Sequence, residues 1–204
     1  MPQHPTAAGA RTRERILEAA EHLMRTIGLG RATTKEIARA AGLSEAALYR
    51  HFSSKEELFV KVLEERLPAL GTLIAALSED PGERTAEDCL TEIARTATLF
   101  YEASMPIASS LFAQPALLER HREGLRKLGA GPHRPLAELT GFLRALRDDG
   151  RIRADADPES AAALLLGACY QRAFLRLFVG EDGSPKPVDE FAAGLARTIL
   201  TGVG

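Results

Sequence analysis

The chain has 204 residues, and a hydrophobic content of 45% is ample for the packed core of one subunit. A formal net charge of −2 excludes a chain that is basic throughout, but residues 1–55 hold nine Lys and Arg against five acids, giving +4, while the remainder carries −6. This asymmetry is expected when a small nucleic-acid-binding module is attached to a second, acidic domain.

Cysteine usage and hydropathy favour a cytoplasmic protein. Cys89 and Cys169 lie eighty residues apart in helical patterns. No signal peptide precedes the first predicted helix, so two free thiols are favoured over a disulfide. The longest apolar run, 161–170, is shorter than the ~18 residues that a membrane span needs. We therefore expect no membrane association.

The N-terminal region predicts an arm followed by helices. Residues 1–10 are small and polar with two prolines, and we expect a flexible arm. Thr33 and Glu36 form a capping-box pattern at the start of a second helix, which Gly42 can end in the left-handed conformation. The first helix carries an apolar stripe that Gly28 ends, formed by Ile16, Leu17, Ala20, Leu23, Met24 and Ile27.

A third short helix follows the glycine turn. Ser44 can cap it, and Leu48 and Phe52 lie one turn apart and point inward, while Ser53 with Glu56 repeats the capping-box pattern. Two short helices joined by a tight turn form the helix-turn-helix layout, whose second helix enters the DNA major groove. Periodicity alone leaves an ordinary helical hairpin as an alternative.

The rest of the chain predicts helices and no strands. A fourth helix begins near Ser54 and runs toward Leu77, with a kink or break at Pro68. Further helices are expected over 85–103, 135–148 and 158–179, and the last helix bears Val188, Phe191, Leu195 and Ile199. Breaks between short helices are expected at Pro106, Pro115, residues 129–132 and Pro135. The predicted fold class is all-α.

The segment from Thr33 to Leu58 resembles the DNA-binding signature of the TetR family of bacterial transcriptional regulators. One departure is Ala46, where many members carry Gly or Pro; alanine is small enough that we expect the docking mode to survive. The matching residues are Thr33, Thr34, Ile37, Ala38, Ala41, Gly42, Ser44, Leu48, Tyr49, His51, Phe52, Lys55 and Leu58. The resemblance implies a three-helix helix-turn-helix DNA-binding domain over 11–55 and an α-helical ligand-binding and dimerisation domain over 56–204.

Helical geometry sorts the candidate DNA contacts. Ala46 and Arg50 point away from the core, and Arg50 can donate two hydrogen bonds to a guanine edge. Glu45 can accept from a cytosine amine, orient Arg50 or remain solvated. By resemblance, phosphate contacts fall to Thr34, Lys35, Tyr49, His51 and Lys55, although Tyr49 and His51 can instead be half-buried packing residues. The complete candidate set is Thr34, Lys35, Ser44, Glu45, Ala46, Ala47, Tyr49, Arg50, His51 and Lys55.

Motifs of catalysis, metal binding and cofactor binding are not found in the sequence. No two of the five histidines are spaced i, i+4, and neither Gly28 nor Gly129 follows a strand, so both glycine clusters indicate turns. We expect no enzyme activity, no cofactor and no metal.

The family also implies a ligand pocket and a dimer. Candidate pocket residues are inward aromatic, Met and Leu side chains of the C-terminal region: Phe100, Tyr101, Met105, Phe112, Leu118, Phe142, Tyr170 and Phe174. Each can equally be core. The helix over 158–179 is apolar on too many faces for its own subunit to cover, which predicts a homodimer. The residues expected at the dimer interface lie on this helix and on the last one: Ala161, Ala162, Gly167, Ala168, Phe191, Leu195 and Ile199.

These features predict a homodimeric repressor that a small apolar ligand releases from a palindromic operator. The alternatives are an activator, a ligand-independent DNA-organising factor or, in another class, a small-molecule-binding protein that does not read DNA.

Overall fold

The computed structural model describes residues 7–180, 182 and 186–202. Within these ranges the regular secondary structure is helical. The all-α prediction is confirmed. The helices are α1 Ala7–Arg31, α2 Thr34–Ala40, α3 Glu45–Tyr49, α4 Lys55–Glu65, α5 Leu70–Glu79, α6 Ala86–Phe112, α7 Pro115–Lys127, α8 His133–Asp148, α9 Pro158–Val179 and α10 Val188–Thr201.

The chain forms two compact units. The N-terminal unit contains the described residues up to Leu67 together with 106–131, and the C-terminal unit contains 68–105 with the described residues from 132 onward. The compact N-terminal unit is therefore larger than the predicted DNA-binding segment 11–55. It also contains α4, α7 and the last turns of α6, and the boundary falls inside α6 at Pro106.

The N-terminal unit is built around α1. Gly28 has a φ of 79° and interrupts the helical dihedrals, as predicted. A Cβ at Gly28 would lie 2.8 Å from Ser110 Cβ, so the close approach and the positive φ both favour glycine. The Gly30 amide donates to Ser110 Oγ at 3.2 Å, which fixes the end of α1 against α6. The core residues of this unit include Ile16, Leu17, Met24, Ile37, Leu48, Phe52, Leu58, Val62, Ile107 and Leu111.

Two boundaries in this unit differ from the prediction. Residues 7–10, expected in a flexible arm, belong to α1; the alanines there favour helix, and the Thr12 hydroxyl donates to the Ala8 carbonyl. Residues 1–6 lie outside the described part. The start of α4 is capped by Ser54 with Glu57, whereas the sequence predicted Ser53 with Glu56. Ser54 has the extended backbone of an N-cap and accepts from the Glu57 amide.

Proline acts differently at two positions. The predicted break at Pro68 is confirmed, since α4 ends at Glu65 and α5 begins at Leu70. The predicted break at Pro106 is wrong, because α6 continues through it to Phe112. Met105 and Ile107, the residues before and after Pro106, are both buried. Their burial offsets the ~3 kcal/mol of helix stability that an interior proline costs.

In the C-terminal unit, α8 packs against α5 and α9, and α10 packs against α9. Cys89 and Cys169 are buried and free, as predicted. The inward stripe of α9 is formed by Ala162, Leu165, Leu166, Cys169 and Ala173. In the described part of the chain, α9 alone is long and apolar enough to cross a membrane, which the sequence had not suggested. A core helix meets the same criterion, and the inward stripe of α9 lies in the core of its unit.

Candidate nucleic-acid interface

The helix-turn-helix is held together by caps and by one arginine from α1. Thr33 and Glu36 form the predicted capping box on α2, and Ser44 accepts from the Ala47 amide to cap α3. Gly42, with a φ of 67°, makes the turn between them. The Arg15 guanidinium donates to the Ala41 carbonyl at 2.5 Å. The positive φ favours glycine at this turn.

The α3 helix presents a small outer face. Leu48 and Phe52 are fully buried beneath it. On the opposite side Ala46 and Arg50 are exposed, and Tyr49 exposes 48% of its surface. The Arg50 guanidinium has no hydrogen-bond or ion-pair partner within the described ranges. Ala47, expected at the DNA, is instead buried against its own unit because it shares the inward side of this one-and-a-half-turn helix with Leu48.

Three predicted site residues form a hydrogen-bond chain. The Thr34 hydroxyl donates to Glu45 Oε1 at 2.5 Å, and the Tyr49 hydroxyl lies 3.3 Å from the same Thr34 oxygen. Because the single Thr34 proton is directed to the carboxylate, Tyr49 is the donor to Thr34. Glu45 thus faces α2; it is half-buried and forms no ion pair with Arg50 within the described residues. Nothing in the spacing of the motif indicates this chain, because it depends on the angle at which α2 and α3 cross.

The two lysines and the histidine expected to contact phosphates have different environments. Lys35 is exposed. The Lys55 ammonium donates to the Leu29 carbonyl at 2.5 Å, and burial, the largest cause, lowers the pKa of this lysine below its usual value. Lys55 therefore has a structural contact at the end of α1 in addition to its predicted one. His51 is half-buried, between the two alternatives that the sequence left open.

Arg13 supports this unit in a way that the sequence did not indicate. Its guanidinium forms two parallel hydrogen bonds of 2.6 Å with the Glu65 carboxylate and lies over the Phe52 ring, 5.3 Å from the ring centroid. The hydrogen bonds from Arg13 lower the pKa of Glu65. This bidentate pair joins α1 to α4, and its guanidinium covers Phe52, which follows α3.

A cleft of about 690 Å³ lies between α1 and the turn after α2. Its charged walls are largely paired, since Arg66 bonds to Glu21 at 3.1 Å and also contacts Glu14, while Arg15 is engaged with the Ala41 carbonyl. Its lining residues include Arg15, Glu18, Glu21, His22, Arg25, Arg39 and Arg66. None of the predicted base-reading residues lines it.

The eight predicted ligand residues fall into different environments. Phe100, Tyr101 and Tyr170 form an aromatic cluster with ring centroids 5.5 Å apart at each contact, and burial raises the pKa of Tyr101 to about 12. Met105 is buried, Phe174 is exposed, and Phe142 is buried in the core of the C-terminal unit. Phe112 and Leu118 belong to the N-terminal unit, where Phe112 is 68% exposed.

The predicted dimer residues divide between the inward and outward sides of α9 and α10. Ala162 is completely buried in its own unit because it belongs to the inward stripe of α9, so its expected place at the interface is wrong. Gly167 is exposed, and Ala161 and Ala168 are half-buried. Phe191, Leu195 and Ile199 are half-buried and pack against the core of their unit.

The outward side of α9 is apolar along most of its length. We call this side the α9 face; it comprises Leu164, Gly167, Tyr170, Phe174, Leu177 and Phe178, which are all exposed. Phe174 and Phe178 stack on each other with centroids 5.6 Å apart. Exposed aromatic and aliphatic side chains grouped in this way are typical of interaction surfaces.

Buried charge lies beside the inward stripe of α9. Arg172 is buried, donates to the Glu102 carboxylate at 3.2 Å and lies over the Phe191 ring at 5.0 Å from its centroid. Arg176 approaches the same carboxylate at 3.5 Å. These contacts join α6, α9 and α10. Across the described residues, no three His, Cys, Asp or Glu side chains are grouped to hold a metal ion.

Comparison with known proteins relates both ends of the chain to regulators. Residues 16–62 match the family of bacterial regulatory proteins described as the tetR family, and residues 123–201 match the C-terminal domain of AefR-like transcriptional repressors. The nucleoid occlusion factor SlmA of Vibrio atlanticus is 31% identical over 189 residues, which cover 89% of this chain and 90% of that protein.

Solved structures share the fold. A TetR-family regulator from Mesorhizobium loti superimposes with a TM-score of 0.69 at 23% identity, covering 96% of this chain and 97% of that one. GusR of Salmonella enterica also gives 0.69, at 24% identity over 97% of this chain and 99% of that one. The all-helical architecture described above is therefore common to these regulators.

Proposed function

The chain belongs to the TetR family of DNA-binding transcriptional regulators, and from this premise we propose that it is a cytoplasmic, homodimeric repressor that a small ligand releases from a palindromic operator. The match of residues 123–201 to a repressor C-terminal domain supports repression over activation. Its relatives are regulators and not enzymes.

The exposed, unpartnered Arg50 is the observation that carries the proposed reading of DNA. A guanidinium on the outer side of α3, beside the small Ala46, can approach a base edge closely and donate two hydrogen bonds to guanine. Thr34, Lys35, Tyr49, His51 and Lys55 are the proposed phosphate contacts, which fix the register of the helix on the duplex. Ser44 acts through its cap on α3.

A two-fold dimer is supported by the α9 face. Exposed Leu164 and Phe178 lie at opposite ends of that face, so the apolar surface extends along most of the helix. Burying such a surface against a second copy contributes roughly 25 cal/mol per Å² of apolar area. Because the same surface occurs on both copies, the contact is isologous and gives the two α3 helices the symmetry of a palindrome. Gly167 and Ala168 permit close approach of the two helices.

The aromatic cluster of Phe100, Tyr101 and Tyr170 supports a ligand site in the C-terminal unit. Aromatic walls with few charges suit an uncharged or weakly polar molecule. A ligand that prefers the form unable to bind DNA lowers operator occupancy by shifting the population.

The experiment that tests the proposed function is selection of bound sites from genomic DNA, followed by titration at physiological salt. We expect enriched duplexes with two inverted half-sites and a specific affinity at least ~10³ above that for shuffled duplex. Equal binding of enriched and shuffled duplex would refute operator recognition. A library of lipophilic metabolites is then screened for a compound that raises the melting temperature and weakens operator binding. Operator DNA has to weaken binding of that compound by the same factor.

A second candidate function is a ligand-independent DNA-organising factor. The observation that favours it is the similarity to proteins named nucleoid occlusion factors over 89% of this chain. This function predicts many enriched sites spread around the chromosome and no compound that lowers DNA affinity. The repressor predicts few sites, next to the genes that it controls.

A further inference from the structure

In the free protein, the hydroxyl protons of Thr34 and Tyr49 are both engaged. Tyr49 donates to Thr34 across 3.3 Å, and Thr34 donates to Glu45 across 2.5 Å. A hydroxyl binds a phosphate oxygen only through its proton. Any DNA that recruits the Thr34 hydroxyl therefore has to break its hydrogen bond to Glu45 first.

The Glu45 carboxylate also opposes DNA by charge. It lies at the first position of α3, on the helix proposed to enter the groove, and it is half-buried. A negative charge held near phosphates is repelled by every duplex, whatever its sequence. Within the described residues its one hydrogen-bond donor is Thr34, so losing that bond leaves the carboxylate without a partner in the protein.

One feature of a base pair can compensate for this cost. The cytosine N4 amine is a donor in the major groove, and a carboxylate can accept from it. Glu45 then exchanges the Thr34 hydroxyl for a base, and Thr34 and Tyr49 become free to donate to phosphate. Adenine also presents an amine, but beside its N7 acceptor, which repels a carboxylate; guanine and thymine present no donor, so the repulsion remains.

We infer that Glu45 is a specificity-determining residue that exchanges its hydrogen bond to Thr34 for a cytosine amine on the operator, and that it weakens binding to all other duplexes. This inference rests on the proposed reading of DNA by α3. It differs from an attractive base contact because its main effect is on non-operator DNA.

The test compares Glu45→Gln and Glu45→Asp with wild type. Each protein is titrated against the duplex that wild type enriches from a random pool, and against a shuffled duplex of equal composition. Glu18→Gln is the matched control, because it makes the same charge change on an exposed α1 glutamate outside the hydrogen-bond chain. Melting temperatures of all four proteins verify folding.

For Glu45→Gln we expect about tenfold tighter binding to shuffled duplex, little change on the enriched duplex, and a correspondingly smaller ratio between them. A new selection with this variant should lose the preference for cytosine at one position in each half-site. Glu45→Asp keeps the charge but shortens the reach, so it should weaken the enriched duplex and leave shuffled duplex unchanged.

Two results would overturn the inference in different ways. If Glu45→Gln has the same two affinities and the same base preferences as Glu18→Gln, Glu45 has no role in discrimination while the proposed operator recognition stands. If wild type enriches no duplex, both the operator recognition and the role of Glu45 fail together.

Discussion

The outer face of α3 and the α9 face are opposite kinds of surface. The first is small and polar: Thr34 is hydrogen-bonded to both Glu45 and Tyr49, and Arg50 is exposed to solvent. The second is broad and apolar, with Phe178 exposing 79% and Leu164 exposing 65% of its surface. A polar surface can be uncovered at little cost and suits reversible, salt-dependent binding. An exposed apolar surface of this extent is typical of a surface that binds another protein.

The largest expected effect comes from placing charge on the α9 face. Phe178→Glu should give a monomer near the 22.0 kDa chain mass, because the buried carboxylate has no partner in a two-fold contact. Operator affinity should fall by about 10²–10⁴, since two linked heads bind far better than one. Light scattering and operator titration measure the two effects.

Phe112→Glu is the matched control for this substitution. Phe112 exposes 68% of its surface, nearly as much as Phe178, but lies in the N-terminal unit. It should leave the mass and the operator affinity unchanged. A Phe178→Glu chain that keeps twice the monomer mass would show that α9 is not the dimer surface.

The next effect concerns Arg50, at the polar surface. Arg50→Ala should cost ~1–3 kcal/mol on the operator and relax the preference at one base-pair position in each half-site. Competition titration with single-position operator variants measures this. Arg25→Ala, which removes an exposed arginine paired with Glu21 on α1, should leave the base preferences intact. A uniform loss across all sequences for Arg50→Ala would assign this arginine to the phosphates.

The contrast between the two surfaces also explains which features the sequence could predict. Thr33, Ser44 and Gly42 act on neighbours within four residues, so caps and turns follow from spacing alone. The hydrogen bond between Thr34 and Glu45 depends on how two helices cross, and spacing does not define that angle. In the same way, Ala162 could not be assigned to the inward side of α9 until α8 and α9 were seen to pack together.

Lys55 tests whether a residue at the polar surface is structural, functional or both. Lys55→Met keeps the alkyl chain but leaves the buried Leu29 carbonyl without the ammonium, so the free energy of unfolding should fall by about 1–2 kcal/mol. Denaturant titration measures this. Lys61→Met removes an exposed pair with Glu64 and should change stability by less than ~0.5 kcal/mol.

The salt dependence of DNA binding separates the two roles of Lys55. A phosphate contact requires the slope of log affinity against log salt to decrease in magnitude by about 1 per contact in Lys55→Met. An unchanged slope together with lower stability would leave Lys55 with its structural role alone.

The smallest expected effect is a pH dependence at His121, which lies beneath α4. His121 is buried edge-on against the Phe59 ring, with centroids 4.7 Å apart. Burial, the largest cause, lowers its pKa below the ordinary 6.5; Glu56 opposes this shift and Lys55 adds to it. The unfolded chain therefore binds the proton more tightly than the folded one. The contribution to stability is fully present above pH 6.5 and is lost as the pH falls from there through the lower folded-state pKa.

One proton limits this dependence to about 1.4 kcal/mol per pH unit. Denaturant titrations between pH 7.5 and 5 should show wild type losing stability more steeply than His121→Gln, which cannot titrate. His133→Gln, a change at an exposed histidine of α8, should follow wild type. Parallel curves for wild type and His121→Gln would mean that His121 keeps its ordinary affinity for protons when folded. In that case acid would not weaken the packing of α4 against α7. The predicted response to solution conditions would then be the salt dependence of DNA binding at the polar face of α3.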